Sequence, residues 1–193
     1  MEVTKPLKGP TDEDVRKLHT EIAQIVNQRF LITIFAITVF GVIGGWLVPK
    51  DTPPVGSDLG AFAFIGSILL TSLLFTLYLF THFLRGILRT FTSYLLVTGK
   101  SSWEYDWEVY RQDKYLAYTK AQTIVFLVLG FFSTIFPIIL ATVYSLNLTP
   151  QIGLWTDIAA GIAYFLFVLA MGFFGLCDPE PSAMERWKEI KGS

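Results

Sequence analysis

Cysteine occurs once in this 193-residue chain, at Cys177, and histidine twice, at His19 and His82. A lone cysteine excludes an intramolecular disulfide and any cysteine-built metal centre, and two histidines so far apart in sequence form no local ligand pair. Charged residues make up only 16% of the chain and the formal net charge is −1, so the overall balance gives no basic footprint for nucleic acid. A cleavable leader is not expected, since about thirty residues bearing charges of both signs precede the first apolar stretch. The first span is expected to act as a signal anchor.

Catalytic patterns are equally scarce. Gly99-Lys100-Ser101 resembles the end of a phosphate-binding loop, but Tyr94 stands where that loop requires glycine. His19-x-Glu21 lacks the second histidine of a zinc-protease helix, and no G-x-S-x-G elbow is present. Intramembrane enzymes and proton-coupled transporters usually keep carboxylates, His or Lys near the bilayer midplane. Within the apolar stretches the only charged residue is Asp157, near the outer start of the last one. These absences predict a protein without catalytic activity, cofactor or metal.

What the chain does have is apolar and aromatic. Hydrophobic residues make up 52%, including 17 Phe and 5 Trp, more than a soluble domain of this size would bury. Four stretches approach or exceed the roughly 20 mostly apolar residues needed to cross a hydrocarbon core: 30–48, 61–84, 123–146 and 154–176. Trp46, Tyr144 and Trp155 lie at span ends, at the level where amphipathic rings meet headgroups. The predicted fold is therefore all-α: a polytopic membrane protein with about four transmembrane helices.

Basic residues give its sidedness. Lys5, Lys8, Arg16, Lys17 and Arg29 precede the first span; Arg85, Arg89, Lys100, Arg111, Lys114 and Lys120 lie between the second and third; Arg186, Lys188 and Lys191 follow the fourth. The two remaining connections hold only Lys50. Because Lys and Arg accumulate on the cytoplasmic side, both termini are expected inside, N-in and C-in. The connections expected outside are short and rich in Pro and Gly, with no room for an extracellular domain. Asn147-Leu148-Thr149 fits a glycosylation pattern, but Pro150 follows at once and the site abuts the membrane. The short loops point to a bacterial cytoplasmic (inner) membrane.

The cytoplasmic parts are the arm at 1–29, the loop at 85–122 and the tail at 177–193. Thr11 is placed to cap a helix whose first turn holds Asp12, Glu13 and Asp14, and no Pro or Gly interrupts it before Gly41. Along it Val15, Leu18, Ile22, Ile25 and Arg29 recur at coiled-coil spacing, a seam for several subunits or for the chain's own middle loop. The loop is expected to be helical with a break at Gly99-Lys100-Ser101-Ser102. Trp103, Trp107, Tyr110 and Tyr118 then share a face for docking on the N-terminal helix or for the membrane surface.

The second span is the most informative. Ala63, Ser67, Thr71, Tyr78, Thr81, His82, Arg85 and Arg89 fall within one arc of roughly 100 degrees, which in lipid should turn inward. One reading lines a pore with this face from several copies, closed by an arginine ring that favours anions. The other uses the hydroxyls to bond closely packed helices, with the arginines reaching the headgroups. His82 is the one group near the membrane that ordinarily titrates around neutral pH. Gly41 and Gly45 form a G-x-x-x-G pair, Ala159 and Ala163 a small-residue pair, with Gly172 and Gly175 beyond, and Pro137 removes the backbone bond to Ser133.

These features predict a non-catalytic scaffold or interaction protein that self-associates in the membrane, with an ion or small-solute channel as the alternative. Its expected partners are membrane lipids, further copies of itself and a cytoplasmic protein, and not nucleic acid.

Overall fold

A computed structural model describes residues 10–48, 50, 59–99, 118–144, 151–173 and 185–189. Four long helices carry nearly all of them: α1 (Asp12–Leu47), α2 (Leu59–Thr98), α3 (Tyr118–Val143) and α4 (Gln151–Phe173). No strand occurs among the described residues. All four helices are long and apolar enough to cross a membrane, the pattern of a multi-pass membrane protein. Trp103, Trp107 and Tyr110, and the capping serines Ser101 and Ser102, lie outside the described residues.

Local chemistry sets the ends. At the start of α1 the Thr11 hydroxyl accepts from the Asp14 amide at 3.2 Å, and Asp14 Oδ2 accepts from the Thr11 amide at 2.9 Å and from its hydroxyl at 2.7 Å. This reciprocal box satisfies donors that no helical carbonyl reaches. The Thr11 hydroxyl and amide hold the Asp14 carboxyl below its ordinary value. α2 stops at Gly99, whose φ of 61° suits a residue without Cβ, and whose amide donates to the Leu96 carbonyl at 3.1 Å.

The chain divides into two compact units. One, formed by 31–81 and 117–176, takes α3, α4 and the adjoining parts of α1 and α2. Its core stacks Ala36 of α1, Leu70, Leu74 and Tyr78 of α2, Phe126 and Leu129 of α3, and Tyr164, Val168 and Met171 of α4. Phe75 meets Phe167 edge-on at 4.9 Å, and Tyr78 meets Phe126 the same way at 5.4 Å. α1 is the least buried of the four spans. It joins through Ala36, through Leu47 against Gly66, and through a 2.7 Å bond from Gln122 Nε2 to Thr33 Oγ1.

Between α3 and α4 the glycines allow close approach. A Cβ on Gly130 would strike the Tyr164 ring, one on Gly161 would strike Thr134, and one on Gly172 would strike Thr123. Lipid tails are as apolar as leucine, so such contacts, rather than hydrophobic burial, hold helices together in a bilayer. Gly130 has a further part: it makes room for Tyr164, whose hydroxyl donates to the Phe126 carbonyl at 2.7 Å.

The other unit, formed by 1–30, 82–116 and 177–193, contains the start of α1 and the far part of α2. Arg29, Arg85, Arg89 and Ser93 are buried in it beside Leu84 and Leu95. A helical turn at 185–189 is fixed by Trp187, which donates to the Thr90 carbonyl at 3.3 Å and packs edge-on against Tyr94.

Gly130→Ala should lower stability by about 1–3 kcal/mol, the cost of overpacking. Gly41→Ala, where a Cβ meets nothing within 4 Å, should be neutral or stabilising by roughly 0.5–1 kcal/mol within a single chain. Thermal unfolding in detergent checks the pair, and equal midpoints would contradict the packing described.

Candidate functional site

The structure gathers polar side chains at one place in the bundle. Pro137 lies inside α3 and has no N–H, so the Ser133 carbonyl one turn earlier loses its ordinary donor. In a membrane helix such a group must be satisfied by a neighbour. Ser67 of α2 supplies it: Ser67 Oγ lies 2.7 Å from the Ser133 carbonyl oxygen. The Ser133 hydroxyl returns a bond to the Ser67 carbonyl at 3.3 Å, and Thr71 Oγ1 lies 2.9 Å from Ser133 Oγ. All three hydroxyl residues are buried.

Asp157 of α4 completes the group. It is 1% exposed, Oδ1 lies 2.7 Å from Ser67 Oγ, and Oδ2 is buried without a hydrogen-bond partner. Sequence reasoning treats this residue as a span boundary, and the structure carries it into the interior. The signal is the stripe Asp157, Gly161, Tyr164, Val168 and Met171, whose spacings of four, seven, eleven and fourteen from Asp157 define one face of a helix. The aspartate lies on the same face as the packing residues, and that outweighs its nearness to the helix start.

The polar face of α2 is thus distributed. Ser67 and Thr71 join the Ser133–Asp157 group, while the Tyr78 hydroxyl donates to the Val168 carbonyl at 3.2 Å and Thr81 donates to the Tyr78 carbonyl at 2.7 Å. His82, half-buried, and Arg85 and Arg89, both buried, belong to the other unit. There too lies the heptad seam, with Val15, Leu18 and Ile22 half-buried and Ile25 and Arg29 buried, so the seam is the covered side of its helix within one chain. Gly41 and Gly45 are exposed with open space around them, and Ala159 and Ala163 are exposed on α4.

Among the described residues no three His, Cys, Asp or Glu side chains converge as a metal site. The chemistry on offer at the polar group is hydrogen bonding and proton exchange by one carboxyl. No protein-family model, curated protein or solved structure matches the chain.

Ser67→Ala deprives both the Ser133 carbonyl and the Asp157 carboxyl of their shared partner and should cost about 1–3 kcal/mol. Thr71→Val removes one peripheral hydroxyl and should cost roughly 0.6 kcal/mol, the mean for interhelical bonds in membranes. Ranking both against the wild type by denaturant unfolding in micelles checks this. A Ser67→Ala protein as stable as the wild type would contradict it.

Proposed function

We propose that this is a non-catalytic integral membrane protein that assembles with further copies of itself as a scaffold or interaction platform in the cytoplasmic membrane. The observation that carries the reading is the contrast between two sets of glycines. Gly66, Gly130, Gly161 and Gly172 each face a side chain of a neighbouring helix, whereas Gly41, Gly44 and Gly45 of α1 meet nothing within 4 Å. Glycine inside a helix costs about 0.8–1.0 kcal/mol relative to alanine, and in lipid that cost is offset when a second helix packs on the groove. Exposed Ile34, Phe35, Ile37 and Val42 lie on or beside the same side of α1. Ala159 and Ala163 supply a second small-residue pair on α4.

The channel alternative, lined by the α2 face, draws less support, because Ser67, Thr71 and Tyr78 spend their hydroxyls within one chain. The heptad seam contributes less to assembly than its spacing suggests, being partly covered already within one chain. Basic residues cluster in the arm, the middle loop and the tail, against Lys50 alone in the two other connections. That bias supports both termini in the cytoplasm, where the arm and tail would meet a protein partner, with membrane lipids around the spans.

Native mass measurement in mild detergent should give an oligomer for the wild type and a monomer for Gly41→Leu combined with Gly45→Leu. A wild-type monomer at every concentration would remove the proposal. The orientation has its own test in the single cysteine: Cys177 should resist a membrane-impermeant maleimide in intact cells and react after permeabilisation. Labelling of intact cells would reverse the assignment.

A further inference from the structure

Ser67 Oγ has two close oxygen neighbours, the Ser133 carbonyl and Asp157 Oδ1, each at 2.7 Å. A hydroxyl has one proton and a carbonyl none to give. The Ser133 carbonyl has lost its helical donor to Pro137, so the Ser67 proton points there. The Ser133 proton goes to the Ser67 carbonyl, and the Thr71 proton to Ser133 Oγ. All three hydroxyl protons are then placed. The contact between Ser67 Oγ and Asp157 Oδ1 still needs one, because two oxygens at that separation without a shared proton repel.

We propose that Asp157 is a proton-binding site within the membrane bundle: its carboxyl carries a proton at neutral pH and donates it from Oδ1 to Ser67 Oγ. The surroundings agree with the proton count. An unpaired carboxylate in an apolar interior is far costlier than a neutral acid. Within 31–81 and 117–176 the other charged and titratable side chains described are Tyr78, Lys120, Tyr144 and Tyr164, with Lys50 beyond the end of α1. None of them is bonded to Asp157, whose partner among the described residues is Ser67. In the neutral acid Oδ2 is an uncharged carbonyl oxygen, which is cheaper to leave without a donor than half of a carboxylate.

Loss of the proton also has a structural consequence. The Ser67 hydroxyl must turn to the carboxylate, and the Ser133 carbonyl then has no donor. Protonation of Asp157 is thereby linked to the α2–α3 contact at Pro137, and the ligand of the site is a single proton.

Infrared spectra of the full chain in nanodiscs provide the test. At neutral pH the wild type should show a carboxylic-acid carbonyl stretch that is lost in Asp157→Asn, whose amide still donates to Ser67 and preserves the fold. Absence of the band from the wild type, or its persistence in the variant, would overturn the proposal. Pro137→Ala restores an N–H for the Ser133 carbonyl and frees Ser67 to donate to a carboxylate, so the acid band should weaken at neutral pH; an undiminished band would refute the proton assignment. Should Asp157→Asn fail to accumulate, Ser67→Ala replaces it: loss of the acceptor should shift the acid band to higher frequency, and an unmoved band counts against the site.

Discussion

Within a bilayer no water is at hand to satisfy a backbone carbonyl, and the donor missing from α3 at Pro137 therefore governs how the bundle is assembled. A proline there leaves the Ser133 carbonyl exposed to an apolar medium, and the side chain that answers it is Ser67 on α2. That bond fixes which face of α2 turns inward, and with it the inward placement of Thr71, Leu74 and Tyr78 farther along the helix. Asp157 follows, because the oxygen that answers Ser133 is also the one within reach of its carboxyl.

Around this polar group the bundle is closed by shape. Gly130, Gly161 and Gly172 lie where α3 and α4 come together, and each accepts a larger group from the opposite helix. Tyr164 and Tyr78 use the same closeness to direct their hydroxyls to backbone carbonyls of neighbouring helices. Aromatic bodies thus fill the space while their polar tips are satisfied, as a membrane interior requires. α1 stands apart in this respect: its glycines face open space and its outer side is apolar. Its contribution to the core of one chain is small, and the proposed self-association draws on that surface.

The polar content of the unit containing Arg29, Arg85, Arg89 and Ser93 is of another kind. Three arginines are buried there, where the other unit buries hydroxyls and one carboxyl. Trp187 fastens the turn at 185–189 to Thr90 and Tyr94 of α2. Sequence spacing offers no sign of that attachment, because a lone tryptophan in a polar tail has no periodicity to read.

Four long apolar stretches, the cap at Thr11, the stop at Gly99 and the donor missing at Pro137 were legible in the sequence, because each rests on local chemistry: hydropathy over a span, a side chain three residues from an amide, a residue without Cβ, a residue without N–H. The inward arc of α2 was legible too, through its period. What fills that arc was not, since Ser133 and Asp157 are 66 and 90 positions from Ser67 and only packing brings them within 2.7 Å of it. Likewise, glycines that look alike in the sequence were sorted by the fold into those occupied by a neighbouring helix and those left open. Local sequence determined where helices begin and end and where one lacks a backbone donor; tertiary structure decided which polar groups meet, because that depends on distances between helices that no spacing along one helix contains.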